Sequence, residues 1–239
     1  MEKLLILPRL LPLIDWLALL LFFAGWVGYA RFAKRRSQSQ ASVLGATNRE
    51  RYRWMLQTTY REVRVIDGVV VQSLSTSPSF FASTTILIIG GLLAVLGASD
   101  KASELVRELP FTARTSTLVF DLKLVLLAGI FIYAFFRFTW SMRQYTFGAL
   151  LVAAAPESWQ FEQDSSLSRE AFAQRAGKVV ALAAESFNDG LRAYYLAFAA
   201  VAWFFSPWAF MAGTLGVIFI LYRREFRSEV LKALQGEWR

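Results

Sequence analysis

The chain contains no cysteine and no histidine. Without thiols there is no disulfide, no thiolate metal site and no cysteine nucleophile. Without imidazole the commonest metal ligand, the commonest general base and the usual triads are excluded too. Carboxylates, Lys, Tyr and Ser/Thr are all that remain for chemistry. Internal repeats are absent, and "SQSQAS" is the one low-complexity tract, so an inverted-repeat transporter has no support. The pairs "IIGG" and "FGAL" lack the spacing and the strand context of a phosphate loop. No nucleophile and base occur together and no metal-ligand cluster is visible. The sequence therefore predicts no catalytic residue, no metal and no cofactor, and a membrane-embedded enzyme is the remotest functional reading.

What is abundant is apolar surface. Hydrophobic residues make up 56% of the 239 residues and the mean hydropathy is +0.40, too apolar for an ordinary soluble domain. Crossing a hydrocarbon core of ~30 Å takes ~20 apolar residues, and the windows 11–29, 80–98, 118–136 and 191–222 qualify. The expected fold is an all-α polytopic membrane helix bundle forming one membrane domain over the whole chain. The first segment, from Leu11 to Tyr29, is longer than a signal-peptide core, contains Asp15 and runs into "RFAKRR", a stop-transfer pattern. It reads as a retained anchor, with Asp15, close behind Pro12, as a helix cap.

Orientation follows from basic residues beside the spans. Residues 31–75 hold nine basic and three acidic side chains, residues 99–117 three of each. The first connection is thus expected to be cytoplasmic and the N-terminus outside. Residues 223–239 carry five basic and three acidic groups and also ask to be cytoplasmic. A hairpin satisfies them, with legs 191–205 and 208–222 turning at "FFSPWAF", where Ser206 and Pro207 interrupt the helix. That gives five crossings; a tilted single span is the alternative.

Two cytoplasmic helices are expected. Over 48–77, Thr47 and Glu50 read as a capping box, while Tyr52, Leu56, Thr59, Val63, Ile66 and Val70 recur at helical steps. Arg49, Arg53, Arg61 and Arg64 occupy its other face, suited to anionic lipid, to a second copy or to an aqueous vestibule. The second helix, 168–190, presents Phe172, Ala176, Val179, Ala183 and Phe187 along one side.

In "SLSTSPSFFASTT", residues 73–85, eight of thirteen residues carry a hydroxyl. Helical steps place Gln72, Thr76, Ser79 and Ser83 in one stripe, with Ile86, Leu87 and Leu93 facing elsewhere. Gly90, Ala94 and Ala98 follow at the four-residue spacing of close helix packing. Two readings stay open for the stripe: tight packing, with hydroxyls bonded back to their own helix, or the wall of a water-filled path. A second constellation is charged. Asp121 and Lys123, two residues apart, cannot pair with each other and must find water or another helix. Glu185, Asp189 and Arg192 share a face, with Asn188 one turn from Arg192, and Arg137 lies beyond the third span. An interfacial ion-pair belt and a proton or ion relay are the competing accounts.

Three stretches, "SPSFFASTTILIIGGLLAVLGA", "DLKLVLLAGIFIYAFFRFTWSMRQYTFGALLVAAAP" and "FNDGLRAYYLAFAAVAWFFSPWAF", with the tail "LYRREFRS", resemble the bacterial membrane proteins grouped as the domain of unknown function family 599. The resemblance spans most of the chain in the same order. It implies a multi-pass membrane protein and assigns no activity, substrate or catalytic residue. The motif positions that it picks out are Ser83, Thr84, Thr85, Gly90, Gly91, Lys123, Arg137, Trp140, Arg143, Gln144, Asn188, Gly190, Arg192, Tyr194 and Tyr195.

Two further classes of function compete. One is a homo-oligomeric, channel-like protein, since a chain with few spans needs several copies to enclose a path. The other is a non-conducting scaffold or lipid-binding assembly, with membrane lipids, anionic ones included, as partners. Nucleic acid is not expected despite a net charge of +8, because the basic residues cluster beside spans.

Overall fold

The computed structural model describes residues 11–39, 42–108 and 116–236, and no strand occurs among the described residues. Helix α1 covers Leu13–Ser39, α2 Val43–Thr58, α3 Val65–Gly97, α4 Ser99–Glu108 and α5 Thr117–Ala153. A single turn, α6, follows at Gln160–Gln163, then α7 at Arg169–Ala202, α8 at Pro207–Phe226 and α9 at Glu229–Leu234. Among the described residues three helices are long and apolar enough to cross a membrane: Leu13–Arg36, Val65–Gly97 and Thr117–Ala153. The expected all-helical class therefore stands.

The chain divides into two compact units. The first comprises Met1–Arg35, Thr85–Ala134 and Leu191–Arg223. Its core is aromatic: Trp203 stacks on Phe210 with centroids 5.3 Å apart, and Phe22 lies 5.0 Å from Phe210. The chain reverses at residues 203–206, within the "FFSPWAF" stretch, so that the end of α7 and the start of α8 form an antiparallel pair. Small residues let them close up: a Cβ on Gly213 would sit 3.4 Å from the Cα of Ala199. Asp15, expected as a cap, is instead buried and accepts a hydrogen bond from Trp203 Nε1, because burial leaves the indole N–H no water to donate to.

The second unit comprises Arg36–Thr84, Phe135–Gly190 and Arg224–Arg239. Met55, Val71, Tyr145, Val152, Phe172, Ala176, Val180 and Ala183 form its core. The α7 face is nearly the expected one, except that Val180 rather than Val179 is fully covered. Gly177 meets α2 backbone to backbone, since an added Cβ would lie 3.1 Å from the Cα of Tyr52. At the start of α2, Ser42 accepts from Gly45 N at 3.0 Å and Glu225 accepts from Leu44 N at 3.0 Å, a carboxylate at a positive helix end. The expected capping box at Thr47 is displaced by these groups. The Thr47 hydroxyl donates back to Val43 O at 2.9 Å and accepts from Arg51.

One helix over 48–77 was the expectation; the structure breaks it at 59–64. Thr58 and Thr59 turn their hydroxyls onto the carbonyls of Trp54 and Leu56, and two arginines hold the open end. Arg64 donates to Thr58 O, Ala155 O and Pro156 O. Arg169 donates to Thr59 O and to Ser158 O, with its guanidinium 4.2 Å from the Tyr60 ring. Across the bend, fully buried Asp67 accepts from Trp54 Nε1 of α2 at 2.7 Å and from Arg61 of the bend itself, and Thr58 Oγ1 shares its one proton between Asp67, at 3.1 Å, and the Trp54 carbonyl. Asp67 also sits in the first turn of α3, where a carboxylate suits the helix dipole. Pro78 neither starts nor ends a helix, for α3 runs through it.

Replacing Asp67 by Ala strands the Trp54 indole N–H, whereas the Thr58 hydroxyl keeps the Trp54 carbonyl and Arg61 keeps solvent, so Asp67→Ala is expected to cost about 1–3 kcal/mol. Arg61→Ala, which removes a side chain 42% exposed, is expected to cost less. Thermal unfolding of the two variants in the same detergent checks the order, and equal losses would mean that Asp67 is not the hub of the bend.

Candidate functional site

Several of the charged and polar residues singled out in the sequence fall in two clusters, one in each unit. In the second unit, α5 and α7 run antiparallel with a polar stripe on each facing side. Arg137, Ser141 and Gln144 recur at steps of four and three along α5, and Leu182, Ser186 and Asp189 do so along α7. Arg137 forms an ion pair with Asp189 and donates to Ser186 Oγ at 3.4 Å. Ser141 Oγ donates to Ala183 O at 2.7 Å. The Gln144 amide, oriented with its nitrogen toward α7, donates to Ser186 Oγ at 2.7 Å and Leu182 O at 3.2 Å, while its oxygen accepts from Trp140 Nε1 at 3.2 Å. Ser141 is fully buried, Ser186 and Gln144 nearly so, whereas Arg137 and Asp189 keep 29% and 28% of their side-chain surface. The pair is thus at the more exposed end of the seam. Arg137 Nε is buried without a hydrogen-bond partner, and Asn188 is half-buried nearby.

Close approach of the two helices depends on Gly190. Any Cβ there would strike the fully buried Phe138 ring, which also stacks on Phe81 with centroids 5.3 Å apart. Glu185 looks toward Arg51 of α2, which donates to Asn48 Oδ1 at 2.7 Å. Burial holds the Arg51 guanidinium below its ordinary value, an effect that Tyr145 and the Glu185 carboxylate oppose.

In the first unit Lys123, 2% exposed, answers the question of its partner. Its ammonium donates to the carbonyl of Trp203 at 2.9 Å, lying 5.4 Å from the Trp203 ring and 5.7 Å from that of Phe204. That carbonyl belongs to the end of α7, where helix carbonyls lack intrahelical donors and the dipole favours a cation. Asp15 completes the cluster as the carboxylate that interacts electrostatically with Lys123. Asp121 Oδ1, two residues away, is buried without a hydrogen-bond partner. The Arg192 guanidinium stands 5.8 Å from the Tyr29 ring. Nearby, Thr85 and Tyr194 share a hydrogen bond of 2.6 Å.

The hydroxyl stripe is placed differently. Gln72, Thr76 and Ser83 lie on the exposed face of α3, Ser79 is half-buried, and Thr76 Oγ1 donates to Gln72 O at 3.2 Å. Gly90, Ala94 and Ala98 are exposed as well. Leu87, expected on another face, is 75% exposed one turn after Ser83, and Phe80 is 65% exposed, so large apolar groups interrupt the stripe. Of the arginines expected on a basic face, Arg61 and Arg64 are engaged with Asp67 and with carbonyls, while Arg49 and Arg53 are exposed, Arg53 paired with Glu50. Asp67, Ser141 and Ser186 carry no sequence mark that separates them from ordinary loop or helix residues. Among the described residues no three Asp or Glu side chains converge as a metal-ligand set.

The model of a family described as "Protein of unknown function, DUF599" matches residues 17–230. No curated protein matches the chain, and no solved structure does.

The arrangement joins helices through shared protons and charge. Arg137→Ala and Asp189→Ala are each expected to destabilise the protein, and the double variant to lose less than their sum, with a coupling on the order of 0.5–3 kcal/mol. Unfolding of all four proteins in one lipid environment measures that coupling, and strict additivity would separate the two residues.

Proposed function

We propose that this chain, a member of the DUF599 family of proteins of unknown function, is a bacterial inner-membrane protein that works as a homo-oligomer. In this reading α3 of each copy gathers around a permeation path for ions or small solutes. The N-terminus lies outside and the C-terminus in the cytoplasm, and the end of α7 and α8 form a membrane hairpin that makes five crossings.

The observation that carries the proposal is the face that α3 leaves uncovered. Its apolar window is 11% buried, against 39% for α5, although it holds hydroxyls and small residues rather than a uniform apolar surface. Hydroxyls gain little from lipid tails, whereas a neighbouring helix or water can satisfy them. Gly90 and Gly91 have open space where a Cβ would stand, room for the backbone of a second copy. Copies related by cyclic symmetry bring identical α3 faces together, with Gly90, Ala94 and Ala98 in contact and Thr76, Ser79 and Ser83 nearer the path. A non-conducting scaffold is the second reading. It is favoured by Phe80 and Leu87, whose bulk on the same face fills an axis as readily as it lines one.

Imaging the full chain in a lipid nanodisc by electron cryomicroscopy tests both readings. The expected result is several copies with water or ions beside Thr76, Ser79 and Ser83, and a solute flux that Ser83→Leu lowers. A monomer overturns the assembly. An oligomer whose axis is dry or lipid-filled overturns permeation and leaves the scaffold.

A further inference from the structure

A cavity of about 530 Å³ opens between α1 and α8, both within the first unit. Its walls are almost wholly apolar, with Gly25, Gly28 and Phe32 on one side and Leu215, Phe219 and Tyr222 on the other. Two glycines shape it in different ways. At Gly25 the helices touch, because an added Cβ would lie 2.7 Å from Ile218 Cδ1. At Gly28 nothing lies within 4 Å of that position, so the missing side chain leaves a notch rather than a contact.

The groove has a direction. Phe22 meets Phe210 and, further on, Phe32 meets Tyr222 with centroids 6.3 Å apart, so α1 and α8 run parallel. Both lead into basic sequence at the same end, "RFAKRR" after Ala30 and "YRREFR" after Leu221. Helical steps from the lining residues reach two exposed arginines: Arg35 lies two turns after Gly28 on α1, and Arg223 one turn after Phe219 on α8. From Ala24 to Phe32 the helical rise is roughly 12 Å, close to the depth of one leaflet, which is about half of a ~30 Å core. An apolar slot about one leaflet long, with an exposed arginine beyond its end on each of the two helices, is complementary to one lipid chemistry.

We infer that the groove between α1 and α8 holds one acyl chain of an anionic phospholipid, whose phosphate is met by Arg35 and Arg223. None of the residues that line the site belongs to α3, and it does not depend on assembly or permeation. It requires only that α1 and α8 lie in the bilayer.

Native mass spectrometry of the full chain tests this, after reconstitution with phosphatidylcholine alone or mixed with phosphatidylglycerol. The expected spectrum retains one phosphatidylglycerol per chain through stepwise delipidation. Gly28→Leu should abolish retention by filling a notch that has room for it, with the helical circular dichroism unchanged. If that variant does not fold, Leu215→Trp, at a position 55% exposed, blocks the groove from the other wall. Arg35→Ala with Arg223→Ala should weaken phosphatidylglycerol on the order of tenfold and leave phosphatidylcholine unaffected. Equal retention of the two lipids by the wild type overturns the headgroup assignment. Undiminished retention in both groove-filling variants overturns the site. A change of copy number without lipid loss makes the groove a seat for a second chain and likewise overturns it.

Discussion

Every helix that ends in apolar surroundings leaves carbonyls that water cannot reach, and this constraint organises the molecule. Long cationic side chains meet it. Arg64 and Arg169 cover the end of α2 at Thr58 and Thr59, and Arg64 also takes the carbonyls just beyond α5 at Ala155 and Pro156. Lys123 covers the end of α7 at Trp203. A cation at a helix C-terminus adds dipole attraction to the hydrogen bond, and the ring faces of Tyr60, Trp203 and Phe204 shield the charge on its other side. Cations that look like topological signals in the sequence thus also act as structural closures.

The two buried clusters use that chemistry to different ends. Around Lys123, charge finishes a helix and an aromatic core packs about it, so the ammonium lies among Trp203, Phe204 and Asp15 with its donor capacity directed inward. Between α5 and α7, polar atoms run lengthwise from the Arg137 and Asp189 pair to Trp140, and each residue there touches a partner on the opposite helix or one turn away. Such a chain fixes rotation and register, because sliding one helix by a turn would strand every donor. Gly190 and Phe138 impose the same register by shape.

How much of this could be read beforehand depended on whether the physics was periodic. Apolar length announced the helices, and the Ser206 and Pro207 pair placed the turn between α7 and α8, since both signals are local. The need of Lys123 for a partner on another helix was legible as well, from its two-residue spacing to Asp121. The break at 59–64 was not, because the hydrophobic steps continue through it and the interactions that open it come from Arg169 and the 155–158 carbonyls, far along the chain. The α5–α7 seam was half visible: Arg137 and Asp189 stood out by charge, whereas Ser141 and Ser186 are small hydroxyls that only an opposing helix makes significant. Leu87 illustrates the reverse error, for it stands one turn after Ser83 and so shares the face of the stripe.

The distant closure of α2 also sets an order of events. Arg169 lies 110 residues after Thr59, and Ala155 lies 91 after Arg64. While the chain is being made, the end of α2 therefore stands open after its own sequence has emerged. At roughly 5–20 residues per second, the interval lasts on the order of 5 to 20 seconds. During that time the bend is held by local contacts, Asp67 with its donors and Arg64 on the Thr58 carbonyl, all within 13 residues of one another. The local hub can keep the nascent elbow in shape until the second half of the protein arrives to lock it.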